Sequence, residues 1–383
     1  MKYLGIAQAP LETAGGYWTA REIAQQPQVW IDIEGLMMRD AAGLRAYLDP
    51  LLRRQDLRVV LTGAGTSAFV GECLAPALNR AGLSAVAVST TDLVAAPDRW
   101  LNRVPTLLVS FARSGNSPES VAALQFAEQC LSECHHLIFT CNRDGALYHR
   151  GRQGGNAHAM LLPEETNDRG FAMTSSFSGM LLAAAGAFEL MRDVRAASLA
   201  RWGGEVLETT IPVASTLARA GFERVIFLGS NECKGLAREA ALKMLELSDG
   251  QVVTLADTPL GFRHGPKTIV NSKTLVVLFL CNDPHTRRYE LDMLQELRAD
   301  AVAGRVLALG AVSSERGAEA DLIDVRGAHE APDIALCLVY ALFAQVVAFQ
   351  QSLACGLRPD LPNTKGVVSR VVQGFTIHPW SAT

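Results

Sequence analysis

From Leu57 onward, short runs of β-branched and apolar residues alternate with longer helical stretches. The runs Leu57–Gly63 (LRVVLTG), Ser84–Thr90 (SAVAVST), Pro105–Phe111 (PTLLVSF) and His136–Cys141 (HLIFTC) each read as a buried strand ending in a polar or glycine-containing turn. This alternation predicts a mainly parallel sheet covered by helices on both faces, with right-handed connections. Ahead of the sheet, Thr19-Ala-Arg-Glu22 fits a capping box and opens a short helical piece that Pro27 cuts; a second helix is expected over 35–52. An Ala-, Gly- and Leu-rich helix is expected over 176–191, and the polar stretch that follows reads as a linker.

The second half repeats the first. Val59-Val-Leu-Thr-Gly63 aligns with Val225-Ile-Phe-Leu-Gly229 at an offset of 166, and Thr106-Leu-Leu-Val-Ser-Phe111 aligns with Thr274-Leu-Val-Val-Leu-Phe279 at an offset of 168. Two strand-and-turn units at nearly one spacing indicate duplication. The fold class expected is α/β: two tandem three-layer αβα domains, 40–195 and 209–355, with an N-terminal arm and helix (1–39), a linker (196–208) and a C-terminal tail (356–383). The second copy continues with strands at 305–310 and 322–325 and a helix over 332–354. That helix is apolar nearly all round, as expected where one is sandwiched between domains or subunits. The Gly- and Pro-containing tail is expected to wrap across the body.

Composition narrows the function classes. The chain of 383 residues is 49% hydrophobic and 19% charged with a net charge of −4, so no basic field exists to hold nucleic acid. No signal-peptide core and no apolar run of membrane-spanning length is read from the sequence, so a soluble cytoplasmic protein with no membrane partner is expected. Eight cysteines sit mostly in apolar runs without zinc spacing; they read as small reduced core residues. Neither a metal nor a cofactor is expected.

The two copies differ where ligands bind in parallel sheets, beyond the carboxyl ends of the strands. The first copy carries Gly63-Ala-Gly65-Thr66-Ser67 after its first strand and Ala112-Arg113-Ser114-Gly115-Asn-Ser117 after its third. Either loop alone fits an ordinary N-cap; two at corresponding strand ends supply the hydroxyls, amides and helix N-termini of a phosphate site. Neither is a Walker loop or a dinucleotide fingerprint, so a phosphorylated small molecule fits better than a nucleotide. The matching turns of the second copy, Gly229-Ser-Asn-Glu-Cys233 and Cys281-Asn-Asp-Pro284, lack the serine-rich element.

That second copy instead carries a charged stripe. At about 100° per residue, Glu239, Lys243 and Glu246 lie within about 60° of one another on a helix whose other positions are Ala, Leu and Met. A helical charge ladder and a polar cleft or buried network are both open readings of this stripe.

The loop ARSGNSPES, the helix REAALKMLELSDG and the following RHGPK resemble the sugar isomerase (SIS) domain family. The double-SIS arrangement is similar to the AgaS group of tagatose-6-phosphate ketose/aldose isomerases and galactosamine-6-phosphate deaminases. The isomerase half of glucosamine-6-phosphate synthase belongs to the same family. Its motifs imply phosphate contacts at Gly65, Thr66, Ser67, Ser114, Gly115 and Ser117, with Arg113 compensating for Ala112 where that enzyme has a serine. The resemblance further implies Glu246 as the base between C1 and C2, Lys243 beside it and Glu239 behind. His264 is implied as the ring-opening histidine, reaching the site from a neighbouring subunit, and Lys365 as the C-terminal lysine. A homodimer or higher oligomer acting on a hexose or hexosamine 6-phosphate follows from that reading. The alternative is a non-catalytic SIS-domain sugar-phosphate sensor.

Overall fold

The computed structural model describes residues 1–311, 321–363, 365, 366, 368, 374 and 376–381; the rest of the expected tail lies outside the described residues. The chain divides into two compact units, neither continuous in sequence. One comprises Ile31–Asn167, Ser175–Leu190 and Gly366–Thr383, and the other Met1–Trp30, Asp168–Thr174 and Met191–Lys365.

The N-terminal helices are α1 (Tyr17–Ala24) and α2 (Gln26–Leu52). Pro27 opens α2 and does not cut it: a first-turn residue needs no intrahelical N–H donor. The expected capping box is not formed, since the N-cap is Gly16 and Thr19 lies inside α1. Thr19 N (2.8 Å) and Trp18 N (3.1 Å) donate to the Asp360 carboxylate, far along the chain. Glu22 accepts from the backbone N–H groups of Arg169 (2.5 Å) and Gly170 (3.1 Å).

Burial of Glu22, reinforced by the negative charge of Asp168 and resisted by those N–H donors, pushes its carboxyl up to about 8; Asp360 adds to the rise. A raised carboxyl holds a proton in the folded state that the unfolded chain releases at lower pH. Its contribution is therefore complete below the ordinary carboxylate range and fades as pH rises through about 8. Glu22→Gln is expected to flatten this fall, on the order of a few kcal/mol; urea midpoints at a series of pH values check it.

The first sheet contains β1 (Arg58–Thr62), β2 (Ser84–Ala87), β3 (Thr106–Ala112), β4 (Cys134–Thr140) and β5 (Ala157–Leu161). All are parallel, in the order β2-β1-β3-β4-β5. The central strand β3 is buried along its whole length, which is why its residues are apolar on both faces apart from Thr106 and Ser110. Helices α3 (Thr66–Arg80), α4 (Pro118–Cys130) and α5 (Ser175–Ala187) accompany this sheet. On one face, Val60, Leu108 and Ile138 join Leu93, Ala123, Leu124 and Leu147 in a core.

Residues 196–208, expected as a linker, form the first half of α6 (Ala196–Arg219). Its buried positions Leu199, Trp202, Gly203, Val206, Leu207, Thr210, Ala214 and Leu217 follow helical spacing that the intervening polar residues mask. Gly203 is required by close approach: a Cβ there would lie 2.7 Å from Trp30 and 3.0 Å from Leu342.

The second sheet repeats the first. It contains β6 (Arg224–Gly229), β7 (Val253–Asp257), β8 (Thr274–Phe279), β9 (Arg305–Gly310) and β10 (Leu322–Asp324), all parallel in the order β10-β9-β8-β6-β7. Counted within each copy, both sheets have the order 2-1-3-4-5, so the duplication extends to topology. Its helices include α7 (Glu232–Leu247) and α8 (Pro284–Asp300).

Helix α9 (Asp333–Ala354) is buried at almost every position, packed by α1, α6 and α7. It is therefore a core helix, and of the two expected settings, between domains or between subunits, the second is corrected: the helix is buried within the chain itself. Among the described residues it is long and apolar enough to cross a membrane, yet 94% of its most apolar 18-residue window is buried inside the protein.

Candidate active site

The switch point of a 2-1-3-4-5 sheet lies between its first and third strands, where the chain leaves in opposite directions. In the first sheet, both glycine- and serine-containing loops are at that point. After β1, a Cβ on Gly63 would sit 2.6 Å from the Ser67 carbonyl oxygen, and Gly65 adopts φ 55° and ψ −128°. Thr66 and Ser67 then form the buried first turn of α3. Ser67 N donates to the Ala64 carbonyl at 3.1 Å and Ala68 N to the Gly65 carbonyl at 2.9 Å, which closes the turn at the helix N-terminus.

After β3, Arg113 is buried and Gly115 has φ 65°. Ser117 caps α4, accepting from Ser120 N at 3.4 Å and donating to Ser120 Oγ at 2.7 Å. The loop after β4 braces this turn, a feature missed in the sequence. Asn142 Nδ2 donates to the Ser114 carbonyl (2.8 Å), Ala146 N to Asn116 Oδ1 (2.8 Å) and Leu147 N to the Gly115 carbonyl (3.1 Å). The Asn142-Arg-Asp-Gly145 turn chemistry is the signal that could have found it.

In the other unit, helical spacing brings Glu239, Lys243 and Glu246 together. Lys243 Nζ donates to Glu246 Oε2 and lies 3.6 Å from Glu239 Oε1. The side chains of Lys243 and Glu239 are 1% and 2% exposed, whereas Glu246 is 24% exposed. The stripe is thus a buried ion-pair network with one carboxylate at its open end, and that end is where a base can meet a substrate.

His264 lies in the turn after Pro259–Phe262, exposed and followed by Gly265 at φ 120°. Its neighbours are pinned to α8. Arg263 Nε pairs with Glu296 (2.7 Å), and Lys267 Nζ pairs with Glu296 and with Asp300 (2.5 Å). The imidazole is therefore offered outward from an anchored loop. Lys365 is also exposed. Among the described residues, no hydrogen bond or ion pair joins His264 or Lys365 to Glu246.

The equivalent turns of the second sheet keep the backbone and change the chemistry. Asn231 adopts φ 48° and ψ −120°, close to the Gly65 values. After β8, however, Cys281 N donates to Glu290 Oε2 (2.7 Å) and Asn282 N to Asp333 Oδ1 (2.5 Å). Burial holds the Glu290 carboxyl above its ordinary range. The protein's own carboxylates take these amides, in the copy that lacks the serine-rich element.

No protein-family model matches the chain. The D-galactosamine-6-phosphate deaminase AgaS of Escherichia coli is 45% identical over 97% of this chain and 98% of that protein. The protein of the same name from Shewanella sp. (strain ANA-3) is 40% identical over 98% and 95%. The chain belongs to the AgaS branch of the SIS-domain family. Among solved structures of the family, the tagatose-6-phosphate ketose/aldose isomerase of Escherichia coli superposes with a TM-score of 0.89 at 42% identity, covering 98% of this chain and 99% of that one. The tandem αβα architecture is accordingly that of the double-SIS chains.

Proposed function

We propose that this AgaS-type chain is an amino-sugar-phosphate deaminase/isomerase, converting galactosamine 6-phosphate to tagatose 6-phosphate and ammonia. The names of full-length relatives support the substrate class. The observation that carries the chemistry is the Lys243–Glu246 pair, buried at the ammonium and open at the carboxylate.

In this reading the ester phosphate is held by Gly65, Thr66, Ser67, Arg113, Ser114, Gly115 and Ser117. His264, contributed by a second subunit of a homodimer or larger oligomer, shuttles the proton that opens the sugar ring, a task suited to imidazole near neutral pH. Opening exposes a C1 aldehyde and makes the C2 hydrogen acidic. The Glu246 carboxylate takes that proton, giving an enolamine, and returns it to C1. The resulting C2 ketimine adds water and expels ammonia, leaving the ketose. Lys243 stabilises negative charge developing on the oxygen side of the enolamine, with Glu239 setting the position of Lys243 and Lys365 completing the site from the tail. The two SIS domains are taken as the bodies built on the first and the second sheet, and the location as cytoplasmic.

Purified protein is expected to release ammonia and form ketose in equal amounts from galactosamine 6-phosphate, and more slowly from glucosamine 6-phosphate. Failure with both, and with tagatose 6-phosphate in reverse isomerisation, would overturn the reading in favour of a sugar-phosphate sensor.

A further inference from the structure

The root of the C-terminal tail is fastened to the N-terminal helix by a joint that the family reading does not call for. Asp360 Oδ1 accepts from Thr19 N and from Thr19 Oγ1, both at 2.8 Å, while Oδ2 accepts from Trp18 N at 3.1 Å. These N–H groups belong to the first turn of α1, whose own N-cap residue, Gly16, offers no side chain. The carboxylate therefore caps the helix from a distant part of the chain and meets the positive end of its dipole.

The backbone closes the same joint from the other side. Asp360 N donates to the Gly15 carbonyl at 2.8 Å. Gly15 has φ 62°, and a Cβ there would fall 2.5 Å from Arg358 Nε; a Cβ on Gly16 would fall 3.1 Å from Pro359. The Gly15-Gly16 pair is thus the space into which Arg358-Pro359-Asp360 fits.

We propose that Asp360 is a positioning residue for the reaction, fixing the point from which the tail delivers Lys365. This rests on the assignment of Lys365 above. Five residues of extended chain reach at most about 17 Å, whereas eight residues from Leu357, which donates to the Ser352 carbonyl of α9 at 3.0 Å, reach about 28 Å. Anchoring at Asp360 therefore confines Lys365 to roughly a quarter of the volume otherwise open to it, raising its effective concentration about fourfold. The backbone bond to Gly15 survives loss of the carboxylate, so the expected effect of Asp360→Ala is a roughly two- to fourfold fall in kcat with KM little changed.

The test is a double-mutant cycle on the full-length protein, comparing Asp360→Ala, Lys365→Ala and the double variant, with Asp360→Asn as the conservative member. The expected result is that Asp360→Ala lowers kcat in the wild-type background and causes no measurable further loss once Lys365 is gone. Asp360→Asn, which keeps an acceptor for Thr19, recovers most of the rate. An equal loss from Asp360→Ala in both backgrounds, or no loss in the first, overturns the anchor and leaves the Lys365 assignment standing. Wild-type kcat in Lys365→Ala overturns both, while the Glu246 chemistry is judged separately by its own variant. If Asp360→Ala fails to fold, the same cycle with Asp360→Ser, whose side chain is too short to reach both Trp18 N and Thr19, gives the same decision.

Discussion

Glu246→Gln is expected to lower turnover by roughly 10²–10⁴-fold, the usual contribution of a positioned general base, while binding of a phosphate ester changes less than about threefold. The substitution is isosteric and the side chain is partly open, so packing is kept; an amide cannot accept the C2 proton. The ester is assigned to loops of the first sheet, which share neither sequence segment nor element with position 246. Turnover and calorimetric binding of the substrate phosphate ester, measured on the same preparation, check the two halves. Retained turnover removes Glu246 from the mechanism, and parallel loss of binding shows that Glu246 holds substrate instead.

The second large effect is on stability. Lys243 is 1% exposed and lies between two carboxylates, one of them, Glu239, equally buried. Such a network contributes little relative to an apolar replacement of all its members, but removing one partner leaves a charge in a medium that cannot solvate it, at a cost of about 3–5 kcal/mol. Lys243→Met keeps most of the side-chain volume, ends one atom short and removes the ammonium, so it is expected to lose about that much in urea unfolding. Glu239→Gln combined with Lys243→Met is expected to recover most of the loss, because the amide needs no counter-charge. A Lys243→Met variant as stable as wild type would show that the ammonium does not compensate the buried carboxylate.

The elements legible in the sequence are those whose chemistry is uniform along their length. Strands β1, β3, β4, β6 and β8 are buried along most of their length, and each carries an apolar stretch, at 59–61, 107–109, 137–139, 225–228 and 275–279. Strands β5 and β7 escape that pattern because His158, Thr254 and Asp257 interrupt Ala157-His-Ala-Met-Leu161 and Val253-Thr-Leu-Ala-Asp257; the edge strands β2 and β10 remain legible from 84–90 and 322–325. Helix α6 is hidden by the polar residues on its open face. Thr19 and Glu22 have the spacing of a local cap, but both bond to partners more than a hundred residues away.

The candidate site divides in the same way. Helical periodicity alone brings Glu239, Lys243 and Glu246 together, since all three share one element. It does not say which carboxylate is open, because that depends on what packs over the helix. The anchoring of His264 is illegible for a related reason: Glu296 and Asp300 lie some thirty residues on and meet the loop only through the fold. The duplication makes the phosphate loops legible by contrast with the second copy, but the carboxylates of Glu290 and Asp333 on the corresponding amides emerge only in three dimensions.

The central claim is proton abstraction at C2, and the fate of that hydrogen tests it most directly. With galactosamine 6-phosphate deuterated at C2, the label is expected to leave C2 in step with ammonia release, arriving at C1 of the ketose or in water, with a primary isotope effect on the rate. Ammonia released with the deuterium still on C2, as in direct displacement of the amine by water, would contradict the account.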